Sequence, residues 1–355
     1  MKLIHCADLH LDSPMESNLS PEQAKERKNE ILMTFAKLVK LADESRVAAI
    51  LISGDLFDSR HITKRTERYV LDLIRKHPNL YFFYLAGNHD RGSSFSDLSK
   101  EERPENLCMF GEGWRSYDFG DVVITGSEDP DLDSLELNKN ALNILMLHGQ
   151  ESSESADKRD VIRFSKLKDK NIDYVALGHI HSYRTAKLDE RCTVCYSGCL
   201  EGRGFDECGQ KGFVLLEIEG GKITHRFTPI ARRELYAVPC DVTGFQTRMD
   251  LEERVMAAVE KIPSSSLVKV ILTGACPPEQ SKDVDYLLSL LSHKFYFAKI
   301  YDETKLLIRP EEYRNDISLK GEFVRRVLAS EMSEEEKERV LACGLRALCG
   351  EEVEL

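Results

Sequence analysis

No run of 18 or more apolar residues occurs, so no segment has the length and apolarity of a membrane-crossing helix. An apolar leader is missing too, because the opening MKLIHCADLH puts His5 and Asp8 where a signal core would lie. The expectation is a cytoplasmic protein with no membrane partner. Cationic excess is also absent: 49 Lys and Arg stand against 61 Asp and Glu, a formal net charge of −12. That excludes a uniformly basic nucleic-acid coat, although a local groove or bound cations override a global balance. Part of the excess is local, since residues 331–355 hold eight acidic and three basic side chains. Neither an internal repeat nor a low-complexity linker is present. The ten cysteines belong to a long chain without a leader, where reduced thiols are expected.

What is present is an α/β rhythm. Short apolar runs at Lys2–Cys6, Ala48–Ile52, Leu80–Leu85, Asn143–Leu147 and Tyr174–Leu177 alternate with helical stretches, as buried strands do. Runs at Val122–Thr125, Val194–Ser197, Phe213–Ile218 and Lys222–Phe227 follow one another with little helix between them and predict a more antiparallel second sheet. After about residue 230 the order becomes strand, helix, strand, helix, strand, a βαβαβ unit. From Glu311 the pattern is helical: Leu319, Phe323 and Val327 share a face, and Ser333 with Glu336 forms a capping box before Leu341, Leu345 and Leu348.

Five buried runs of the first region end in metal-capable residues: Asp8 and His10, Asp55, Asn88 and His89, His148, and His179 with His181. The carboxyl ends of strands in an open α/β sheet face a shared crevice, so residues distant in sequence converge there. Imidazole, carboxylate and amide oxygen without thiolate suit divalent manganese, iron or zinc. Two carboxylates against two dications leave positive charge that attracts phosphate, and such an ion lowers the pKa of its water from ~15.7 to ~7. In Gly178-His179-Ile180-His181 an extended backbone sends both imidazoles to one side. Cys192, Cys195, Cys199 and Cys208 approach a zinc spacing, but Cys195 sits in a strand-like run and the second pair is irregular, which favours packing thiols. His5, His61, His77, His225 and His293 have no such context and read as surface or packing residues.

Asp8-Leu9-His10, Gly54-Asp55, Gly87-Asn88-His89-Asp90, His148-Gly149 and Gly178-His179-Ile180-His181, in that order, resemble the motifs of the calcineurin-like metallophosphoesterases. The resemblance covers about the first 230 residues. It implies a four-layer α-β-β-α sandwich of two mixed sheets, within an α/β class, carrying two divalent ions, manganese first with iron or zinc as alternatives. Carried over by motif, Asp8, His10 and His181 hold one ion, Asn88, His148 and His179 the other, and Asp55 bridges them. His89 then serves as general acid or phosphate contact. Asp90 is its orienting partner, or an ordinary turn aspartate. Arg203 is either a contact for a substrate phosphate or a solvated arginine.

The opening His5–Pro14, Gly54–Asp58 and the loop Gly202–Glu207 are similar to the SbcD and YhaO-like nucleases. That resemblance implies a nuclease domain over 1–230, a small α+β capping domain over 231–310 and a helical tail over 311–355. The implied substrate is DNA, at single- or double-stranded ends, in repair. The implied partners are an SMC-like ATPase and a second copy of the chain. Phe323, Val327, Leu341 and Leu345 are either the anchors for that ATPase or the seam of an intramolecular helical pair. The alternatives are a small-molecule phosphodiesterase or phosphomonoesterase and, in another class, a non-catalytic scaffold or DNA-binding subunit.

Overall fold

Strands that are apolar on both faces need a cover on each side, and the first unit, Met1–Glu234, meets that need with stacked layers. The computed structural model describes residues 1–15, 19–59, 62–152, 160–277, 280, 282–307 and 309–348. In chain order the unit runs β1 (Lys2–Cys6), α1 (Pro21–Glu44), β2 (Ala49–Ser53), α2 (Lys64–Lys76), β3 (Tyr81–Leu85), β4 (Leu107–Met109), β5 (Arg115–Phe119), β6 (Val122–Gly126) and β7 (Leu142–His148). It continues through β8 (Gln150–Glu151), β9 (Val161–Ile162), β10 (Tyr174–Gly178), β11 (Arg184–Lys187), β12 (Thr193–Tyr196), β13 (Gly212–Glu219) and β14 (Lys222–Pro229). One six-stranded sheet has the order β14-β13-β1-β2-β3-β4, the other β11-β12-β10-β7-β6-β5. Both are mixed: β1, β2, β3 and β4 are parallel, as are β6, β7, β10 and β12, and the remaining pairings in each sheet are antiparallel.

Alternation along each strand sorts the side chains into layers. Ile4, Cys6, Ile50, Ile52, Phe82 and Tyr84 pack under the helices, against Ile31, Phe35 and Leu38 of α1 and Val70 and Ile74 of α2. Leu3, Leu51, Phe83 and Leu85 face the other way and meet Ile124, Ile144, Met146 and Ala176 of the second sheet. The outer face of that sheet, with Leu145, Leu147, Val175 and Leu177, is covered among the described residues by loops and two 3-10 turns at Leu132–Ser134 and Phe164–Lys166. α1 begins where the sequence supplies a complete start signal: Ser20 caps the Gln23 N–H, Gln23 returns to the Ser20 N–H, and Pro21 occupies the first turn.

The second unit, Leu235–Leu355, contains β15 (Leu235–Asp241), α3 (Arg248–Ala258), β16 (Leu267–Thr273), β17 (Ala275–Cys276), α4 (Val284–Lys294), β18 (Phe297–Asp302), β19 (Lys305–Leu306), α5 (Pro310–Tyr313), α6 (Leu319–Leu328) and α7 (Glu334–Leu348). β15, β16 and β18 form a parallel sheet whose Val268, Val270 and Leu272 pack on Leu251 and Val255 of α3 and Leu287 and Leu291 of α4. Ser333 and Glu336 exchange the hydrogen bonds of a capping box at the start of α7. Val324, Val327, Leu341 and Leu345 are buried together with Tyr313, and the Phe323 ring lies where a Cβ on Gly344 would stand 2.1 Å from its Cζ. The tail stripe is therefore spent on its own pair of helices, while Leu319 keeps 70% of its surface in solvent. Among the described residues no helix is long and apolar enough to cross a membrane, and the nine cysteines are free thiols.

Candidate metal centre

The metal-capable residues stand just past the carboxyl ends of five parallel strands, β1, β2 and β3 in one sheet and β7 and β10 in the other. Backbone bonds fix the turns that carry them: Asp8 N–H donates to Gly54 O (3.0 Å), His10 N–H to Asp55 O (3.0 Å) and Leu11 N–H to Leu56 O (2.9 Å). Asp8, His10, Asp55 and His179 all hold positive φ, at 53°, 46°, 50° and 96°. Asp and His tolerate that region better than most residues, and strain of this kind gathers at functional sites. Two glycines let the side chains close in. A Cβ at Gly87 would sit 2.1 Å from Asp55 Oδ1, and one at Gly54 would sit 2.0 Å from His148 Nδ1.

Seven expected ligands come together in two groups. In the first, Asp8, His10 and His181 bring ligand atoms within 4.8 Å of one another. In the second, His148 Nε2 lies 3.3 Å from Asp55 Oδ2 and 2.9 Å from Asn88 Oδ1, which is itself 3.3 Å from His179 Nδ1. Asp55 Oδ2 is also 3.8 Å from His10 Nε2, so it stands between the groups.

Hydrogen bonding behind the ligands shows what the groups suit. His10 Nδ1 faces Asp58 Oδ1 at 3.0 Å, His181 Nδ1 faces Glu207 Oε1 at 2.6 Å, and His148 Nδ1 faces Ser53 O at 3.0 Å. Carboxylate and carbonyl oxygens accept, so each Nδ1 carries the hydrogen and each Nε2 turns a lone pair inward. The Nε2 atoms of His10 and His181 then confront each other at 3.2 Å, and that of His148 confronts Asp55 and Asn88 oxygens. Asp8 Oδ2 is buried with no hydrogen-bond partner among the described residues. Converging lone pairs repel unless a cation lies among them, and nitrogen and oxygen donors without thiolate fit divalent transition ions. The donor set fits two such ions.

Electrostatics follow from this crowding. Burial pushes the Asp8 carboxyl above its ordinary value, against the pull of His148 and His181. Burial would also raise Asp55, but its hydrogen bond to His148 and the charges of His148 and His10 outweigh this and hold it low. Burial lowers His148, yet the Asp55 hydrogen bond and the Asp55 and Asp8 charges overcome it and raise the group to about 9, so that without an ion a proton on Nε2 takes the place a cation would fill between His148 and Asp55. Glu207, which burial would raise, is held down to about 2 by its hydrogen bond to His181 and by the charge of Arg203.

His89 sits beside the first group, its ring edge-on to His10 at 4.9 Å between centroids, and its N–H donates to Asp55 Oδ1 (3.0 Å). Its Nδ1 lies 2.9 Å from Asp58 O, so Nδ1 carries a hydrogen and Nε2 is the exposed working atom. Asp90 is not paired with that ring. Its Oδ1 accepts the Gly87 N–H (2.6 Å) and its Oδ2 those of Leu56 (2.8 Å) and Phe57 (3.4 Å), a fully buried clamp between the turns after β2 and β3. Burial and the Asp55 charge push it up to about 7. Arg203, partly exposed, is engaged by carboxylates: it donates to Asp58 Oδ1 (2.6 Å) and Glu207 Oε1 (3.0 Å), linking the two carboxylates behind His10 and His181.

Asp58 and Glu207 were not singled out from sequence. Their signal is that they close the segments Gly54–Asp58 and Gly202–Glu207 on which the nuclease resemblance rests, with no role attached. The remaining histidines take no part: His5 meets the Tyr174 hydroxyl (2.9 Å) in the inter-sheet core, and His77, His225 and His293 contact Asp43, Thr185 and Ser289. His61 lies outside the described residues. Among the described residues no metal-capable group includes Cys192, Cys195, Cys199 or Cys208.

Residues 1–183, just over half of the chain, match the family model described as Calcineurin-like phosphoesterase. The uncharacterized metallophosphoesterase YhaO of Bacillus subtilis is 27% identical over 297 residues, covering 78% of this chain and 72% of the relative. The DNA double-strand break repair protein Mre11 of Sulfurisphaera tokodaii is 25% identical over 300 residues, covering 78% and 75%. Among solved structures, TT1561 of Thermus thermophilus aligns with a TM-score of 0.42 at 15% identity, covering 64% of this chain and 98% of that one.

Proposed function

The chain belongs to the calcineurin-like phosphoesterase family, and from that premise we propose that it is a two-metal phosphodiesterase acting on DNA ends. The observation that carries the reading is the set of lone pairs from five strand ends, divided into two groups that share Asp55. In it Asp8, His10 and His181 hold one ion, Asn88, His148 and His179 the other, and Asp55 both, with manganese as the native metal. Such ions neutralise charge on the non-bridging oxygens and lower the pKa of a bound water.

The chain's own groups do the rest. The Nδ1 hydrogen bonds of His181 and His148, with the Asp58 carboxylate 3.0 Å from Nδ1 of His10, keep each imidazole in one tautomer and one orientation, so the site needs little rearrangement when phosphate enters. His89, anchored at Nδ1 by Asp58 O, offers Nε2 to the leaving oxygen and supplies its proton. DNA rather than a small ester is favoured by the likeness to a DNA double-strand break repair protein. The same likeness extends the reading to an SMC-like ATPase partner and a second copy of the chain. Ile317 and Leu319, exposed beside the self-packed tail, offer apolar surface to the ATPase, and co-purification with Leu319→Asp checks it.

Labelled single- and double-stranded DNA and a chromogenic phosphodiester, each with added manganese, test the main reading. Cleavage of DNA that is lost in Asp55→Asn together with bound metal supports it. Turnover of the small diester alone points to a small-molecule enzyme, and no turnover of either sinks the reading in favour of a scaffold.

A further inference from the structure

α1 and α2 do more than cover the first sheet. Between them runs a groove of about 750 Å³, walled by Lys25, Lys28 and Met33 on one side and Lys64, Arg65 and Arg68 on the other. All five cations are at least partly exposed, and none forms an ion pair with another described residue. The two carboxylates that line the groove are engaged elsewhere. Asp12 accepts from Thr63 N–H (3.0 Å) and Thr66 Oγ1 (2.7 Å), and Asp72 pairs with Arg75 (3.3 Å). A chain of net charge −12 thus gathers five cations in one recess against two carboxylates, one of which is paired with Arg75.

The groove is linked to the metal-ligand residues through the chain segment that follows His10. Asp12, which lines it, is two residues from His10, and the next three residues, Ser13–Met15, line a second hollow of about 490 Å³ together with Asp58 and Arg203. The segment Asp12–Met15 is therefore a wall shared by the groove and by this hollow, whose Asp58, Arg203 and Glu207 back His10 and His181.

We propose that the groove between α1 and α2 holds the phosphodiester backbone of a single strand of nucleic acid whose scissile phosphate lies at the metal-ligand groups. This rests on the phosphodiesterase reading and specifies how a polymer is held. Lys25 and Lys28 are spaced by roughly 4.5 Å along one helix axis and Lys64 and Arg68 by roughly 6 Å along the other. A strand carries one charge per ~3.4 Å of axis, so two such rows meet several phosphates at once. Tyr69, half-buried on the α2 wall, adds a ring face of the kind on which a base stacks. An acidic protein segment would also satisfy the cations, but the continuity with a phosphodiester site favours the nucleic acid.

The test is fluorescence anisotropy of a labelled single-stranded oligonucleotide with the full chain, without divalent metal so that nothing is cleaved, across a range of salt. Lys64→Gln, Arg65→Gln and Arg68→Gln together are expected to lower the slope of log affinity against log salt by about 2, at about 0.7 per lost phosphate contact. Manganese-dependent hydrolysis of the chromogenic diester is expected to stay at the parent rate. Should the triple variant fold poorly, Lys25→Gln with Lys28→Gln tests the opposite wall, with an expected drop in slope of more than about 1. A parent that binds while either folded variant keeps its slope overturns the groove and leaves the phosphodiesterase reading standing. The same holds if the variant alters only self-association or the capture of an acidic peptide. A parent that turns over the small diester but binds no oligonucleotide overturns both the groove and the DNA substrate. A parent inactive on every phosphodiester overturns the reading on which the proposal rests.

Discussion

His89 and Glu207 separate two kinds of work at the site. His89 stands next to Asn88 in sequence, yet it is anchored by a carbonyl and turns Nε2 outward, so His89→Gln should keep its metals while hydrolysis falls by about 10²-fold. Metal analysis and initial rates check this, and a variant at the parent rate would show that the proton comes from elsewhere. Glu207 touches no substrate. It holds His181 in the tautomer that points Nε2 inward, so Glu207→Gln should weaken manganese binding by about 10–100-fold, read by calorimetric titration independently of turnover. Unchanged affinity would make Glu207 a mere partner of Arg203. The ligand positions were legible because each ends a buried strand, and chemistry at strand ends is visible in a linear pattern. Residues acting through another residue leave no such mark: Asp58 and Glu207 reach His10 and His181 only once loops distant in sequence are folded together. Asp90 shows the opposite error. Adjacency suggested that it orients His89, whereas a side chain one position along turns away, and it finds three backbone amides instead.

At the scale of elements, α1 carries more than its apolar stripe. Arg27 is fully buried and donates to Glu30 Oε2 (2.5 Å), Glu201 Oε2 (3.2 Å) and Gly202 O (2.9 Å), which ties the helix to the loop that presents Arg203. Thr34 Oγ1 (2.7 Å) and the Arg232 N–H (2.5 Å) complete the shell of Glu201. Removing the cation leaves buried Glu201 without its ion-pair partner, while Glu30 keeps Arg233 and Arg232, so Arg27→Met should cost about 3 kcal/mol at neutral pH in chemical denaturation. Burial would raise the Glu30 carboxyl, but its bonds to Arg233 and Arg27 hold it below its ordinary 4.5. A carboxylate with a depressed folded pKa stabilises above its unfolded value and loses that contribution as pH falls through the folded one. The gap between variant and parent should therefore narrow below about pH 4.5, where protonation of Glu30 in the parent removes the contribution of its bond to Arg27. A gap that is absent at neutral pH, or widens in acid, would mean the network is dispensable. Sequence periodicity finds strands with buried faces but misses edge strands such as β11, whose four residues Arg184–Lys187 are all exposed. It cannot settle what an amphipathic stripe covers either: Val327, Leu341 and Leu345 suit an intramolecular pair first and a partner second, and only the folded chain shows them packed on each other.

The whole chain is two units with separate cores, and every metal-capable group identified among the described residues lies in Met1–Glu234. A ligand that binds only the folded form stabilises the unit that holds it, by about 2.7 kcal/mol at a concentration about 100 times its dissociation constant. Two units of different composition need not melt together, and a single unfolding free energy is not defined for such a chain. Differential scanning calorimetry is therefore expected to show two transitions. Manganese should raise the larger one by roughly 5–10 °C, taking about 2–4 °C per kcal/mol for a unit of this size, and leave the smaller one in place. Chelation should reverse the shift, and Asp55→Asn, which removes the atom between the two ligand groups, should blunt it without moving the second transition. If manganese moved both transitions equally, or one transition moved as a whole, the metal would be coupled to Leu235–Leu355 as well. Binding would then stabilise the entire chain rather than the unit that carries the ligands.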